Sequence, residues 1–335
     1  MQNSEAWTQG QDETTFHAGE RSVHQRLGIA DKIAERGRQV IRDHMPDQHR
    51  DFFAQLPFLI VGSADQAGQP SASVLVGQPG FIASPHARRL EVNASALFAD
   101  PLHDTLHLNA QLGLLGIEPH TRRRNRANGT VSELSKNSFS LDIKQSFGNC
   151  PKYIQARIPR FKNDAADSKE KIVHRSDQLN HVMCRMIASA DTFFIATAYL
   201  GEGNGTGRQY GSDVSHRGGK PGFIRIDDPS TITVPDLIGN FYFNTIGNLV
   251  ANPRAGLLFI DFASGDLLYV QADAEIIWNG DEVSAFPGAQ RLLRFHITQA
   301  VRVERSLPLY WSEPEQSPYL DKTGSWDHAE KQGLS

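Results

Sequence analysis

The stretch from residue 212 to residue 262 decides how the chain folds. It reads SDVSHRGGKPGFIRIDDPSTITVPDLIGNFYFNTIGNLVANPRAGLLFIDF, and short apolar runs alternate in it with clusters of Gly, Arg, Lys, Asn and Thr. Such alternation is typical of short strands separated by turns and one helix. The predicted strands span residues 222–226, 232–234 and 256–262, and a segment over 235–240 is expected to interrupt regular structure. A helix is predicted over 245–251, and Asn252 and Pro253 end it.

Two places in this stretch predict a site for a planar, phosphate-bearing ligand. At residues 215–220 two cations lie beside two glycines, where a ligand can approach the backbone closely. At the start of the predicted helix, unpaired N–H groups and the positive dipole end attract an anion. The candidate binding residues at these places are Ser215, Arg217, Gly218, Gly219, Lys220, Asn240 and Thr245, and His216 lies among them.

The chain repeats its own pattern at a nearly constant spacing. PGFI stands at 79–82 and again, 142 residues later, at 221–224, and GLL stands at 113–115 and again, 143 residues later, at 256–258. FLIV at 58–61 matches FFIA at 193–196, and an Xaa-Pro pair precedes each GLL. Repeats in a fixed order predict a duplicated module. Short strands and Gly-rich turns favour antiparallel β-barrels with flanking helices over a doubly wound sheet.

The two copies differ where the ligand is expected. Val74 and Leu75 of the first copy align with His216 and Arg217 of the second, which predicts one functional pocket and one structural partner. The first copy has its own basic block, TRRRNRANG, with an expected turn at Asn128–Gly129. Alternation along a strand would place three of its arginines on one face, from which they could reach the other module's ligand. These candidate residues are Arg122, Arg124 and Arg126.

The rest of the chain is expected to support these two modules. Residues 1–20 are polar and predicted to be loosely ordered. The glycines of GEGNGTGRQYG at 201–211 do not fit the spacing of a dinucleotide-binding motif, so this segment is predicted to be a loop over a pocket. The predicted organisation is a tail and helical segment over 1–45, a first module over 46–160, a linker over 161–180, a second module over 181–311 and a polar tail over 312–335.

Composition narrows the class of protein. The chain has 335 residues, 39% of them hydrophobic, and a net charge of −4, which gives no whole-protein argument for a nucleic-acid or membrane partner. Two cysteines, no signal-peptide pattern and no apolar run of about 20 residues predict a cytoplasmic protein. His103 and His107 have a zinc-binding spacing, but no third ligand is evident, so no metal site is predicted.

These motifs resemble the pyridoxamine 5'-phosphate oxidase-like superfamily of FMN-binding split barrels, and most closely its two-module flavin-nucleotide-binding proteins. The resemblance covers about Gly19 to Trp311, and its strings are DVSHRGGKPGF, GNFYFNTIGNL with NPRAGLLFIDF, TRRRNRANG and FGNCPKYIQ. It implies one six-stranded split barrel per module, with FMN between two barrels of a homodimer or of one pseudo-dimeric chain. It also implies phosphate contacts from Asn240, Thr245 and Asn248, although relatives often carry Lys or Arg where this chain has Ile246, Gly247 and Asn248.

Three functions follow as hypotheses. The first is an FMN-dependent oxidoreductase acting on a small molecule, with NAD(P)H as a candidate electron donor and His216 as a candidate proton donor to the flavin. The second is a module that binds flavin or haem without turnover. The third is nucleic-acid binding through the arginine block, which the acidic net charge disfavours.

Overall fold

A computed structural model describes residues 15–162, 171–201 and 207–326 of the chain. The fold is mainly β, as predicted, and two large antiparallel sheets dominate it. The first sheet runs in the order β2-β1-β5-β6-β7-β4-β3. Its strands are β1 (Phe58–Ala64), β2 (Pro70–Val76), β3 (Ile82–Ala83), β4 (Arg89–Val92), β5 (Gln111–Glu118), β6 (Arg123–Leu134) and β7 (Phe139–Gly148).

The second sheet runs in the order β11-β10-β14-β15-β16-β13-β12, and β9 pairs with β16 beside this path. Its strands are β9 (Val173–Ser176), β10 (Thr192–Tyr199), β11 (Gly211–Gly218), β12 (Arg225–Asp228), β13 (Thr231–Leu237), β14 (Arg254–Ile260), β15 (Leu267–Ile277) and β16 (Ala289–Val303). A separate pair joins β8 (Pro159–Phe161) to β17 (Leu309–Trp311).

Seven α-helices flank the sheets in the described part of the chain. They are α1 (Ala18–Arg26), α2 (Ala30–Val40), α3 (Asp47–Ala54), α4 (Leu102–Thr105), α5 (His181–Ser189), α6 (Asn244–Ala251) and α7 (Asp281–Ala285). No helix among the described residues is long and apolar enough to cross a membrane.

The two sheets share one strand order, since β10, β11, β14, β15 and β16 take the places of β1, β2, β5, β6 and β7. Their registers agree as well. Equivalent positions are Ile60 and Phe194, Val74 and His216, Leu115 and Leu258, and Arg126 and Tyr269. This register moves the predicted FLIV–FFIA match by one residue, because Leu59 rather than Phe58 is equivalent to Phe193. Each sheet has seven strands on its main path instead of the six expected, and the described strands form no closed barrel.

The sheets pack on each other through their equivalent faces, and two glycines set the distance between them. A Cβ on Gly113 would overlap the carbonyl oxygen of Ser212 on β11, and a Cβ on Gly256 would overlap that of Pro70 on β2. The two contacts are related by the repeat, since each glycine opens a GLL string and 142 residues separate Pro70 from Ser212. The apolar residues between the sheets include Phe58, Ile60, Val74, Leu115, Phe194, Val214 and Leu258.

Both ends of the described chain are more ordered than the sequence suggested. Within the segment predicted to be loose, Phe16 and Glu20 are buried and α1 begins at Ala18. Within the predicted C-terminal tail, Trp326 is buried and its Nε1 donates to the carbonyl of Phe223. Apolar side chains in otherwise polar segments account for both corrections. Residues 1–14 and 327–335, and residues 202–206 of the predicted glycine-rich loop, lie outside the described residues.

Three internal expectations are also corrected. The turn expected at Asn128–Gly129 lies instead at 135–138, because Gly129 is inside β6 at a bulge where a Cβ would overlap the backbone of Asp142. Pro235 continues β13 rather than ending it. The predicted linker over 161–180 contributes β9 to the second sheet.

The close approach at Gly256 predicts a stability effect. Gly256→Ala should lower the free energy of unfolding by about 1–3 kcal/mol, since the added methyl group meets backbone that must shift. Gly239→Ala is the matched control, because a Cβ there has no atom within 4 Å, and it should leave stability within about 0.5 kcal/mol. Urea denaturation measures both. Equal stability of the two variants would contradict the proposed packing.

Candidate anion-binding cleft

A cleft of about 100 Å³ lies between the two sheets, at the start of α6. It brings together residues that are far apart in sequence, from β6, β11 and the loop before α6. Seven of the residues predicted from sequence line it, namely Arg124, Arg126, Ser215, His216, Arg217, Asn240 and Thr245.

Two arginines of β6 meet the open edge of β11. Among the described strands, β11 pairs only with β10, so its outward carbonyl groups need donors from elsewhere. Arg126 donates to the carbonyl of Val214 at 2.8 Å, and Arg124 donates to the carbonyl of His216 at 3.4 Å. The first module therefore completes an edge strand of the second.

A buried carboxylate anchors this contact between the modules. Asp213 accepts hydrogen bonds from Arg126 at 2.8 Å, from Asn128 at 2.7 Å and from Asn248 at 3.1 Å. Arg126 is 2% exposed and also donates to the Ser215 hydroxyl at 2.5 Å. Breaking a buried, hydrogen-bonded ion pair of this kind is costly, because the remaining charge has no solvent to stabilise it.

A second carboxylate holds two more arginines. Asp236 on β13 pairs directly with Arg291 on β16 and also forms an ion pair with Arg217 on β11. Asp236 and Arg291 are both buried. Arg217 is thus oriented by Asp236 while its Nε remains buried without a hydrogen-bond partner.

The start of α6 lines the cleft beside these arginines. Its N-cap residue is Phe243, whose side chain forms no capping hydrogen bond, so the first N–H groups of the helix have no side-chain acceptor there. Phe241 and Phe243 both have left-handed backbone conformations, with φ of 65° and 58°. Strained residues of this kind cluster at ligand sites. Thr245 reaches the Ser215 hydroxyl at 3.2 Å.

His216 is neutral in this setting. It is 6% exposed, and burial together with Arg124 and Arg217 holds its pKa well below the ordinary value. Its Nδ1 is buried without a partner. A neutral imidazole can form one hydrogen bond there to a ligand, but it cannot act as a cationic proton donor near neutral pH.

The cleft carries an excess of positive charge. Four guanidinium groups, those of Arg124, Arg126, Arg217 and Arg291, lie around two carboxylates, Asp213 and Asp236. Burial, with a further contribution from Arg126 and Arg217, lowers the pKa of Arg124 to about 10. The nearby Glu20 does not offset the excess, because burial and Asp213 raise its pKa to about 8 and keep it protonated at neutral pH. An anion of up to two charges would be stabilised here.

Five predicted site residues lie elsewhere. Arg122 has a left-handed backbone that turns it out of the strand alternation, toward Glu315. Gly218 and Gly219 make room for Tyr153 and Phe223 rather than for a ligand, Lys220 donates to the carbonyl of Thr323, and Asn248 lies behind Asp213.

Asp213, Asp236, Arg291 and Glu20 were not predicted. Asp213 could have been found, because it shares the face of Ser215 and Arg217 in a strand that alternates. Asp236 lies in the segment that was predicted to interrupt regular structure, and Glu20 lies in the segment that was predicted to be loosely ordered. Arg291 becomes visible only through the register of β13 with β16.

A second cavity lies between the sheets at the position equivalent to this cleft, and different side chains line it. This cavity of about 170 Å³ is lined by Asp100 and Tyr269, and Tyr269 takes the position of Arg126. The Tyr269 hydroxyl donates to Asp100 at 2.8 Å, and burial raises the pKa of that carboxyl group. Its helix, α4, has only four residues. Arg175 is the one arginine among the described residues that line this second cavity, and it lies there with the carboxyl groups of Asp100 and Asp104.

Comparisons with known proteins do not assign a family. No protein-family model matches the chain, and no curated protein matches it. Among solved structures, a variant of HupZ from Group A Streptococcus is 12% identical and a candidate pyridoxamine 5'-phosphate oxidase from Lactobacillus delbrueckii is 17% identical. Each covers 37% of this chain, over 98% and 94% of its own length respectively, with a TM-score of 0.29.

A FAD-binding protein from Mesorhizobium loti is 16% identical, covers 39% of this chain and 98% of its own, and has a TM-score of 0.25. TM-scores below 0.5 do not establish a shared fold.

The ion pair between the modules predicts a double-mutant result. Arg126→Met should lower the free energy of unfolding by about 3–5 kcal/mol, because Asp213 stays buried without its cation. Arg126→Met with Asp213→Asn should recover part of that loss. Arg123→Met, the neighbouring strand position whose guanidinium stacks on Phe52, should cost about 1 kcal/mol or less. Urea denaturation of these three variants and of Asp213→Asn alone gives the four values, and strictly additive single effects at 126 and 213 would refute the pairing.

Proposed function

We propose that this cleft binds the phosphate group of a planar ligand, and that the ligand is FMN. The observation that supports the phosphate is the excess of guanidinium groups at the uncapped start of α6. Helix N-termini and arginine forks are the two protein features that best match phosphate geometry.

Unsatisfied donors add to this argument. Arg126 Nε, Arg217 Nε and Asn149 Nδ2 belong to residues that line the cleft, and all three are buried without a hydrogen-bond partner. Buried donors without partners are rare in folded proteins because each costs free energy. Phosphate oxygens would supply the missing acceptors.

The choice of a flavin among phosphate esters rests on the sequence resemblance and on the rim of the cleft. Ile238 and Phe241 stand there with exposed apolar side chains, each 39% exposed. Such surfaces suit the face of a planar ring. The cleft volume of about 100 Å³ fits a phosphate group but is below the roughly 300–1,000 Å³ of pockets that enclose whole ligands, so the ring requires the rim to move.

The residues have separable roles in this proposal. A bound flavin supplies redox chemistry. Arg217, oriented by Asp236, and Arg124 neutralise negative charge on the phosphate. Thr245 and the first N–H groups of α6 orient the phosphate. His216 is neutral, so its Nδ1 offers one hydrogen bond to the ligand, and the side chain does not act as a cationic proton donor.

The proposed activity is that of an FMN-dependent oxidoreductase acting on a small molecule, with NAD(P)H as the candidate electron donor. A flavin-binding module without turnover is the second candidate, and a specific observation favours it. Among the described residues that line the cleft, His216 is the one histidine, and its depressed pKa leaves it without an imidazolium proton near neutral pH.

We also infer that the two sheets are duplicated split barrels that form a pseudo-dimer within one chain. Their common strand order and their reciprocal glycine contacts support this. Only one of the two equivalent clefts keeps the positive charge, so the proposal predicts one FMN per chain.

Ligand binding tests the proposal directly. Fluorescence titration should show FMN binding at a stoichiometry of one, and riboflavin, which lacks the phosphate, should bind at least tenfold more weakly. Arg217→Ala should weaken FMN binding by about 10- to 100-fold, the size expected for losing one charged hydrogen bond of about 1.5–3 kcal/mol. It should leave riboflavin binding unchanged.

Arg123→Ala is the matched control, since this arginine lies on the same strand as Arg124 but outside the cleft. It should leave FMN binding unchanged. Equal affinity for FMN and riboflavin would contradict a phosphate site. Loss of FMN binding in Arg123→Ala as well would point to a general effect of charge.

A further inference from the structure

The cleft is bounded by a loop that α1 holds in place. This loop, residues 238–243, is here called the lip loop. His24 Nε2 donates to the carbonyl groups of Phe241 and Tyr242, each at 3.1 Å. Phe16, which precedes α1, packs against Tyr242 with ring centroids 5.9 Å apart. The N-terminal segment therefore fixes the rim of the cleft.

The lip loop is held in a strained shape. Phe241 and Phe243 have positive φ angles, which side chains larger than glycine adopt only when their surroundings enforce them. The enforcing contacts include those of His24. If α1 leaves, these two residues can relax and the rim can widen.

The contact between α1 and α6 is closely packed and combines apolar side chains, such as Val23 and Ile246, with buried polar groups. The Asn244 amide donates to Glu20 at 2.5 Å, and the His17 N–H donates to the same carboxyl group at 2.9 Å. A Cβ on Gly19 would overlap the carbonyl oxygen of Gly247. Undocking of α1 would exchange these buried polar contacts for contacts with water, and it would also expose Val23 of α1, which is buried in one apolar cluster with Ile246 and Leu249 of α6.

We propose that α1 is the gate of the cleft, and that its undocking frees the lip loop and admits a ligand larger than a phosphate group. The identity of that ligand rests on the proposed function. The coupled movement of α1 and the lip loop does not, because it can be measured without any ligand.

Charged and titratable groups around Glu20 make this gate sensitive to pH. They are His17, Arg21 and His24 on the N-terminal segment, Asp213 on β11 and Arg126 on β6. Burial, and next Asp213, raise the pKa of Glu20 from 4.5 to about 8 in the docked state. Burial lowers the pKa of His17 from 6.5 to about 4, and it also lowers the pKa of His24.

The pKa shifts of Glu20 and of the two histidines make the docking of α1 depend on pH in opposite directions. Glu20 must be protonated to dock, so between pH 4.5 and about 8 its contribution to docking falls as pH rises. The histidines must be neutral to dock, so their contribution falls as pH drops below 6.5. The two effects oppose each other below pH 6.5. Between pH 6.5 and 8 Glu20 acts alone, and undocking should increase by up to about tenfold per pH unit.

Amide hydrogen exchange of the full-length protein without ligand tests the gate. After correction for the intrinsic chemical rate, amides of α1 and of the lip loop should open together, and more often at pH 8 than at pH 6.5. In Glu20→Gln, which mimics the protonated acid, this rise should disappear. In Glu35→Gln, a control on an exposed position of α2, it should remain. A rise that persists in Glu20→Gln, or a lip loop that stays protected while α1 opens, would overturn the proposal.

Gly19→Ala tests the same gate by sterics. The added methyl group should undock α1 and speed exchange of α1 and the lip loop at every pH. The association rate of FMN, followed by fluorescence, should rise at least tenfold, whereas the affinity for inorganic phosphate should not change. A slower FMN association would overturn the gate. If FMN binds to neither protein, the proposed ligand is wrong and the exchange data alone decide the gate.

Discussion

The close approach of the β11 edge to the first sheet is the constraint on which the rest of the structure depends. Gly62 and Gly113 leave no side chain between the sheets at Ser212 and Asp213, so the backbones come within reach of one another. Only at this distance can Arg126 of one module bond Asp213, Val214 and Ser215 of the other. The cleft is a consequence of that contact, and neither module has it alone.

The sheets approach each other closely at two equivalent positions, but different side chains meet at each of them. At the equivalent position Gly256 admits β2, and Tyr269 takes the place of Arg126. Asp100 then fills the space with a carboxyl group, and the adjoining helix is too short to offer a useful row of N–H groups. One framework thus yields a cleft lined by several arginines on one side and a cavity lined by Asp100, Asp104 and one arginine on the other.

Much of this could be predicted from the sequence, for identifiable reasons. The repeat of PGFI and GLL predicted two similar units, because packing glycines and turn residues are fixed by backbone geometry. Seven cleft residues were found from the pattern of cations, glycines and a helix start. The glycines at 218 and 219 make room for Tyr153 and Phe223, and a glycine with that role has the same sequence signature as one that makes room for a ligand.

What could not be predicted depends on contacts between distant segments. Glu20 meets Asn244 across more than two hundred residues, and Arg291 meets Asp236 through a strand register that no local pattern specifies. Arg122 was misplaced because a left-handed residue interrupts the alternation on which the prediction relied. Local patterns identify residue types suited to a site, whereas the tertiary fold decides which of them meet.

A crystal structure of the protein soaked with FMN tests the central claim most directly. The account predicts phosphate density between Arg124, Arg217 and the first turn of α6, with the ring at the rim beside Phe241. Phosphate density at the Asp100–Tyr269 contact instead, or a cleft that stays empty at saturating FMN, would contradict it.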